Sequence, residues 1–107
     1  MRNRVLQMLG IAAKSGNVVS GEFSTEKAIK SGKAYLVIVS EEASDNTVKM
    51  FTNMTTFYEV PMQIFGTKDE LGRCIGKQFR ASLAITDENL ANAVVSKLGC
   101  RTKNPTL

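Results

Sequence analysis

The lysines and arginines are the side chains of this sequence with the clearest chemical use, because the usual catalytic groups are missing. The 107 residues include 14 lysines and arginines, 10 aspartates and glutamates and no histidine, which gives a net charge of +4. Histidine is the commonest general base and the commonest metal ligand. The sequence also lacks a Walker phosphate-binding loop, a nucleophile elbow and a dinucleotide fingerprint. We therefore expect no enzyme activity, no catalytic residue and no cofactor.

The two cysteines, Cys74 and Cys100, are 26 residues apart and have no ligand-like residues beside them. A structural zinc site usually needs four nitrogen or sulfur ligands, so we expect no metal. Unpaired thiols are typical of the reducing cytosol, and we expect a cytoplasmic protein. The longest apolar run, residues 34–39, is far shorter than the ~20 residues that cross a bilayer. The N-terminal segment lacks the long apolar stretch of a signal peptide.

Charge is distributed unevenly along the chain. Residues 1–34 hold six basic and two acidic residues, residues 35–72 hold two basic and six acidic ones, and residues 73–107 again hold six and two. If folding brings the two ends together, the molecule has a basic face, which is typical of a protein that binds polyanions. A solvated surface with accidental clustering explains the charges equally well, so the charges alone leave both interpretations open.

Apolar periodicity predicts five helices and four strands in strict alternation. Helices are expected over residues 2–14, from about 24 to 31, over 47–58, after 67 and after 87, and strands over 18–20, 35–39, 60–65 and 81–86. The continuous apolar run at 35–39 suits a strand that is buried on both faces. Such alternation places helices on both sides of one sheet, an α/β sandwich. We expect one domain over residues 1–107, with a folded core over 1–99 and a flexible tail over 100–107.

Turn and capping residues predict where these elements begin and end. Gly16 suits a left-handed stop of the first helix, and Ser24 or a neighbour is predicted to cap the second helix. Thr67 and Glu70 have the spacing of a capping box, in which each side chain binds the backbone amide of the other. Pro61 cannot donate a ladder hydrogen bond, which predicts the start of a strand or an edge strand.

Short motifs follow one another in a characteristic order over residues 3–98. They are Leu9-Gly-Ile-Ala-Ala-Lys14, Val18-Val-Ser-Gly-Glu22, Lys27-Ala-Ile29, Lys33-Ala-Tyr-Leu-Val-Ile-Val39, Glu41-Glu-Ala-Ser-Asp45, Val60-Pro61, Glu70-Leu-Gly72, Gly76-Lys77 and Ala84-Ile-Thr-Asp87. In order and spacing, this series resembles the kink-turn-binding ribosomal proteins of the L7Ae/L30e type. No single motif is decisive, and the resemblance depends on the whole series.

The resemblance implies a three-layer α/β/α fold with a four-stranded mixed sheet. It also implies binding to RNA kink-turns, which are sharply bent duplexes with tandem sheared G·A pairs. Members of the family bind them with the turn that opens the second helix, in the pattern Gly-x-Asn-Glu-x-x-Lys, and with the loop before the last strand. We therefore expect an RNA-binding protein of the ribosomal type that works as a monomer, with ribosomal RNA among the candidate targets.

Transferred position by position, the pattern falls on residues 21–27 and the loop on residues 76–81. Gly21 and Lys27 match, whereas Phe23 and Ser24 stand where the family has its base-reading Asn and Glu. Glu22 is adjacent but out of register, and the hydroxyls of Ser24 and Thr25 can hydrogen-bond a base edge or a phosphate. The predicted RNA-binding residues are Gly21, Glu22, Phe23, Ser24, Lys27, Lys30, Lys77, Phe79 and Arg80.

The residue types of both segments suit a polyanion. Gly21 has no Cβ, so its backbone can approach a ligand closely. Amides that open a helix lack intrahelical partners and attract phosphate. In the second segment Lys77 and Arg80 supply charge, and Phe79 can pack on a ribose or a base. Each feature also has a structural explanation: a helix cap, a solvated face or a partly buried aromatic residue.

The acidic middle of the chain supports a different hypothesis. Glu41, Glu42 and Asp45 could dock a basic protein, and the molecule would then be a protein-interaction module with the same fold. A small enzyme that works with carboxylates and lysine is a third alternative, and the absence of histidine and of catalytic motifs makes it the weakest.

Overall fold

Helices and strands alternate along the chain in the predicted order. The computed structural model of the protein describes residues 2–98, apart from the side chain of Arg2. The helices are α1 (Arg2–Lys14), α2 (Glu22–Lys30), α3 (Asp45–Tyr58), α4 (Lys68–Cys74) and α5 (Glu88–Leu98), and the strands are β1 (Val18–Ser20), β2 (Leu36–Val39), β3 (Met62–Ile64) and β4 (Ser82–Ile85). The predicted flexible tail and the second cysteine, Cys100, lie outside the described residues. Among residues 2–98, no helix is both long and apolar enough to cross a membrane.

The four strands form one mixed sheet in the order β1-β4-β2-β3. Strand β4 is antiparallel to both β1 and β2, whereas β3 is parallel to β2. The three strands β1, β2 and β3 therefore all end at the same edge of the sheet, where β4 begins. This edge carries the connections that lead into α2, α3 and α4, and it is where the predicted site residues gather.

Helices cover both faces of the sheet, which confirms the three-layer α/β/α architecture. Leu9 of α1, Leu71 of α4 and Val94 of α5 are fully buried on one face. Ile29 of α2 and Phe51 of α3 are fully buried on the other. Alternate residues of β2 contribute to the two cores, and all four are buried, as predicted for a strand covered on both sides.

Several predicted element ends are confirmed, whereas the predicted start of α2 is wrong. Gly16 has a positive φ of 78°, and the capping box of Thr67 and Glu70 is present with both of its hydrogen bonds. Helix α2, however, begins at Glu22 with Gly21 as its N-cap, and no side chain within residues 2–98 caps it. The prediction of a cap at Ser24 fails because the helix starts earlier, so that Ser24 lies inside its first turn.

Strand β3 is shorter than predicted, and it begins only after Pro61. The expected strand ran from residue 60 to 65, whereas the observed one spans Met62–Ile64. Proline has no N–H group, but its carbonyl still accepts a hydrogen bond from the amide of Val37 at 2.9 Å. Pro61 thus lies just before an edge strand, which is the placement that its chemistry predicts.

Candidate nucleic-acid interface

The two predicted RNA-binding segments lie side by side. Antiparallel pairing of β1 with β4 brings the end of β1 next to the start of β4. The amide of Gly21 donates to the carbonyl of Ser82 at 2.9 Å, and Arg80 Nε donates to Ser20 Oγ at 3.0 Å. Helices α1 and α5 also pack against each other. The fold therefore brings the two basic ends of the chain together, as the charge pattern requires for a basic face.

The first segment is a sharp turn into a helix whose opening amides are not capped by any side chain that the structure describes. Gly21 has φ 92° and ψ 158°, a backbone conformation that is essentially restricted to glycine. Its carbonyl accepts the amide of Thr25 at 3.0 Å, the first hydrogen bond of α2. The amides that precede Thr25 in the helix have no intrahelical acceptor, so the positive end of the helix dipole faces outward.

The exposed face of α2 presents an aromatic ring and positive charge. The side chain of Phe23 is 76% exposed, and Lys27 and Lys30 are also exposed. A surface groove of about 350 Å³ runs along this face and is called the α2 groove below. It is lined by Phe23, Glu26, Lys27, Lys30 and Ser31. The sequence predicted the phenylalanine and the lysines but missed Glu26 and Ser31, which share their helical face.

Three further predicted residues of this segment differ in their access to a ligand. Glu22 is exposed in the first turn of α2, and Ser24 is half-buried. Thr25 is completely buried, with its hydroxyl unpartnered among the described residues. The expectation that Thr25 could hydrogen-bond a base edge or a phosphate is therefore wrong, because its side chain points into the protein.

The second segment, residues 76–80, packs closely against α4 at Gly72, because this residue has no side chain to keep the segment away. A Cβ on Gly72 would overlap the carbonyl of Gln78. The close approach allows the amide of Lys77 to donate to the carbonyl of Gly72 at 2.8 Å, and the amide of Arg80 to donate to that of Lys68 at 3.1 Å. Sequence reasoning missed Gly72 as a positioning residue, although a glycine inside a helix is the signal that could have found it.

Exposed groups of the second segment continue the surface of the first. Phe79 is 67% exposed, and Lys77 is exposed beside it. Arg80 is half-buried, and its Nη1 donates to the carbonyl of Phe79 at 2.9 Å while its Nε bonds Ser20. A surface depression of about 250 Å³ next to the loop is lined by Asp69, Arg73, Lys77, Gln78 and Phe79. Arg80 thus joins the two segments as well as adding charge to them.

The acidic residues on which the protein-docking hypothesis rests lie at the same edge of the sheet. Glu42 Oε1 accepts the amide of Lys68 at 2.9 Å, and Glu41 Oε2 accepts the amide of Gly66 at 3.3 Å. Asp45 is exposed in the first turn of α3. Two of the three carboxylates therefore bind backbone amides at the start of α4, and they help to position the helix that supports residues 76–80.

The side chains described by the structure offer little for metal or thiol chemistry. Within residues 2–98, no three His, Cys, Asp or Glu side chains are close enough together to hold a metal ion. Burial raises the pKa of the Cys74 thiol to about 11, against an ordinary value of 9.0. Its sulfur donates to the carbonyl of Leu71 at 3.3 Å. At neutral pH this cysteine is a protonated, half-buried packing residue.

Comparison with known proteins places the chain in a family. Residues 3–95 match the model of the family described as "Ribosomal protein L7Ae/L30e/S12e/Gadd45 family". The chain belongs to this family. The match covers both segments of the candidate interface and confirms the L7Ae/L30e resemblance that the motif series predicted.

Individual L7Ae/L30e relatives agree with this placement. The chain is 41% identical over 91 residues to the RNA-binding protein YlxQ of Bacillus subtilis, covering 85% of this chain and 91% of that protein. It is 39% identical over 85 residues to the large ribosomal subunit protein eL30 of Neurospora crassa, covering 74% of each. A Bacillus halodurans protein described as having unknown function has a similar solved structure, with TM-score 0.83, 30% identity and coverage of 86% and 93% of the two chains.

Proposed function

We propose that this protein binds structured RNA through the edge of the sheet where its two loops meet. This two-loop face consists of Gly21, Phe23, Lys27, Lys77, Phe79 and Arg80. The observation that carries the proposal is the bond between Arg80 and Ser20, because it joins two cationic segments that each expose a phenylalanine. The relatives with RNA-binding and ribosomal names support the same class of ligand.

The chemistry of the two-loop face suits an RNA backbone and an exposed base at once. The opening amides of α2, which no side chain within residues 2–98 caps, favour phosphate oxygens, and so does the ammonium group of Lys27. Lys77 and Arg80 add positive charge on the second loop. The exposed ring of Phe79 supplies a surface on which a base or a ribose can stack. Polar and aromatic contacts of this kind bind RNA without any group that performs catalysis.

The RNA class that we propose is the kink-turn. The Arg80–Ser20 bond joins the two segments into one surface, and the protein would stabilise a bent duplex by offsetting the free energy that the bend costs. RNAs that bend readily would then bind more tightly than RNAs that resist bending, even where the protein touches no base. We further propose that the protein is a non-enzymatic cytoplasmic monomer, with ribosomal RNA among its candidate targets.

The test is a titration of two RNAs of the same length, of which only one has the pairs that form the bend. One is a kink-turn with its tandem G·A pairs intact, and the other replaces those pairs with Watson–Crick pairs of the same length. We expect tighter binding to the intact RNA at physiological salt. Equal affinity for both would reduce the protein to a binder of RNA charge, and no binding to either would refute the proposal altogether.

A further inference from the structure

The α2 groove extends the two-loop face along the helix, away from the junction of the loops. Phe23, Lys27 and Lys30 line it at helical spacing, so that the ring and the two ammonium groups follow one another over about 10 Å of helix axis. Lys27 belongs to both surfaces, which makes the groove continuous with the two-loop face. Neither Lys27 nor Lys30 forms an ion pair with any residue from 2 to 98, so both charges are available to a ligand.

The ring of Phe23 determines which part of an RNA the groove can hold. Its exposed fraction, 76%, is large for a phenylalanine, and burying such a ring is favourable. A base can stack on an aromatic side chain only when one of its faces is free, and bases inside a duplex have both faces covered by their neighbours. An unpaired strand meets this condition, and its phosphates can pair with the lysines farther along the groove.

Glu26 adds a preference among bases. Its half-buried carboxylate accepts hydrogen bonds only, so it repels phosphates and favours base edges that carry N–H groups. The groove thus combines a stacking surface, a base-edge acceptor and two phosphate partners, the groups that an unpaired nucleotide strand can contact.

We infer that the α2 groove binds an unpaired RNA strand adjoining the bend, with Phe23 as the residue on which one base stacks. The inference rests on the proposed RNA-binding function and deepens it. It also gives a role to the residue that replaces the family's base-reading Asn: this chain reads an unpaired base by stacking, where its family reads a sheared pair by hydrogen bonds.

A protein-by-RNA double-mutant cycle tests this. The protein variants are wild type and Phe23→Leu, which keeps the apolar bulk but removes the ring. The RNAs are one kink-turn with its unpaired nucleotides intact and the same RNA with those nucleotides made abasic, which keeps every phosphate. We expect each single change to weaken binding about tenfold, and the combination to weaken it little more than either alone.

Two control variants separate this inference from the general function. Phe57→Leu alters an equally exposed ring, 77% exposed, that does not line the groove, and it should leave binding unchanged. Phe79→Leu tests whether the stacked base lies on the second loop instead. Additive losses, no loss with Phe23→Leu, or coupling of the abasic positions to Phe79 alone would each overturn the inference while RNA binding stands. If wild type binds neither RNA, the proposed function fails and the inference with it.

Discussion

Helices α2 and α4 begin at the same edge of the sheet, and their first turns are built in opposite ways. In α4, Thr67 Oγ1 accepts the amide of Glu70 at 3.0 Å and Glu70 Oε1 accepts the amide of Thr67 at 2.9 Å. Glu42 accepts the next amide, that of Lys68, at 2.9 Å. In α2, Gly21 offers no side chain, and the opening amides have no such partner among the described residues.

This difference in capping determines which of the two helix ends is available to a ligand. The amides of Thr67, Lys68 and Glu70 are satisfied by side-chain oxygens of the protein itself, two from carboxylates and one from a hydroxyl, and these bonds fix the helix that supports residues 76–80. No side chain in the described part of the chain caps the opening amides of α2, which lie near Lys27 and an exposed ring. Acidic residues occur in the first turn of both helices, so composition alone does not show which helix end is available to a ligand. The capping geometry shows this.

Gly72→Ala should remove the support that α4 gives to residues 76–80, and it has the largest expected effect. The added Cβ overlaps the Gln78 carbonyl, so residues 76–80 must move away from the helix. We expect the free energy of unfolding to fall by about 1–3 kcal/mol. RNA affinity should fall about a hundredfold, because a stacking contact and charged hydrogen bonds are displaced together. Urea unfolding and RNA titration measure the two effects.

Gly16→Ala is the control for that variant. Gly16 has a positive φ of 78° and open space around it, so alanine strains the backbone at the far edge of the sheet without moving a loop. The strain should cost about 1–2 kcal/mol of stability and leave RNA affinity unchanged. Equal losses of affinity in both variants would show that instability, and not the position of residues 76–80, weakens binding.

Arg80→Ala should separate the two loops and weaken RNA binding about tenfold, the scale of a hydrogen bond made by a charged group. The variant removes the bond to Ser20 as well as one positive charge. Arg80→Lys keeps the charge but not the forked guanidinium, so it should recover only part of the affinity. Full recovery with lysine would mean that Arg80 acts only through its charge and that joining the loops contributes nothing.

Thr67→Ala tests the capped N-terminus of α4, and its expected effect on stability is smaller. Loss of the cap should lower the free energy of unfolding by about 1 kcal/mol. RNA affinity should stay unchanged, because the opening amides of α4 bind side chains of the protein rather than the ligand. A clear loss of affinity, with the variant still fully folded, would contradict the distinction between the two helix ends.

The effect expected last, because it is confined to alkaline pH and leaves the protein unchanged at neutral pH, is the pH dependence contributed by Cys74 at the end of α4. Its pKa in the folded protein, about 11, lies above the ordinary value of 9.0, so the folded state holds the thiol proton more tightly. The corresponding stability is present below pH 9 and is lost as the pH rises through 11. Between pH 8 and 10.5, urea unfolding of Cys74→Ala should therefore show a smaller loss of stability than wild type. An equal loss in both would remove the thiol from this pH dependence.

Periodicity and capping chemistry predicted most of the fold because those signals are local. The run at 35–39 predicted a strand buried on both sides, which the structure confirms for residues 36–39, and Thr67 with Glu70 correctly predicted the start of a helix. The start of α2 was predicted too late, at Ser24, because side-chain capping was the signal used. The actual N-cap, Gly21, has no side chain and acts through its backbone conformation.

The site was harder to predict because its construction depends on contacts between distant residues. The sequence supplied the cations and the phenylalanines of the two-loop face. It did not show that Arg80 reaches Ser20, 60 positions away, or that Gly72 admits the Gln78 carbonyl. The sequence likewise did not indicate that Thr25 is buried, since a hydroxyl in the first turn of a helix can point toward solvent or into the protein.

The most direct test of the central claim, that RNA binds at the two-loop face, is the salt dependence of RNA affinity in two lysine variants. Lys27→Ala removes a charge from the face, whereas Lys14→Ala removes another exposed charge at the end of α1. Loss of one phosphate contact should lower the slope of log affinity against log salt by roughly 0.7–0.9. We predict this change for Lys27→Ala and none for Lys14→Ala. Wild-type slopes in both variants, or a change with Lys14→Ala alone, would contradict the account.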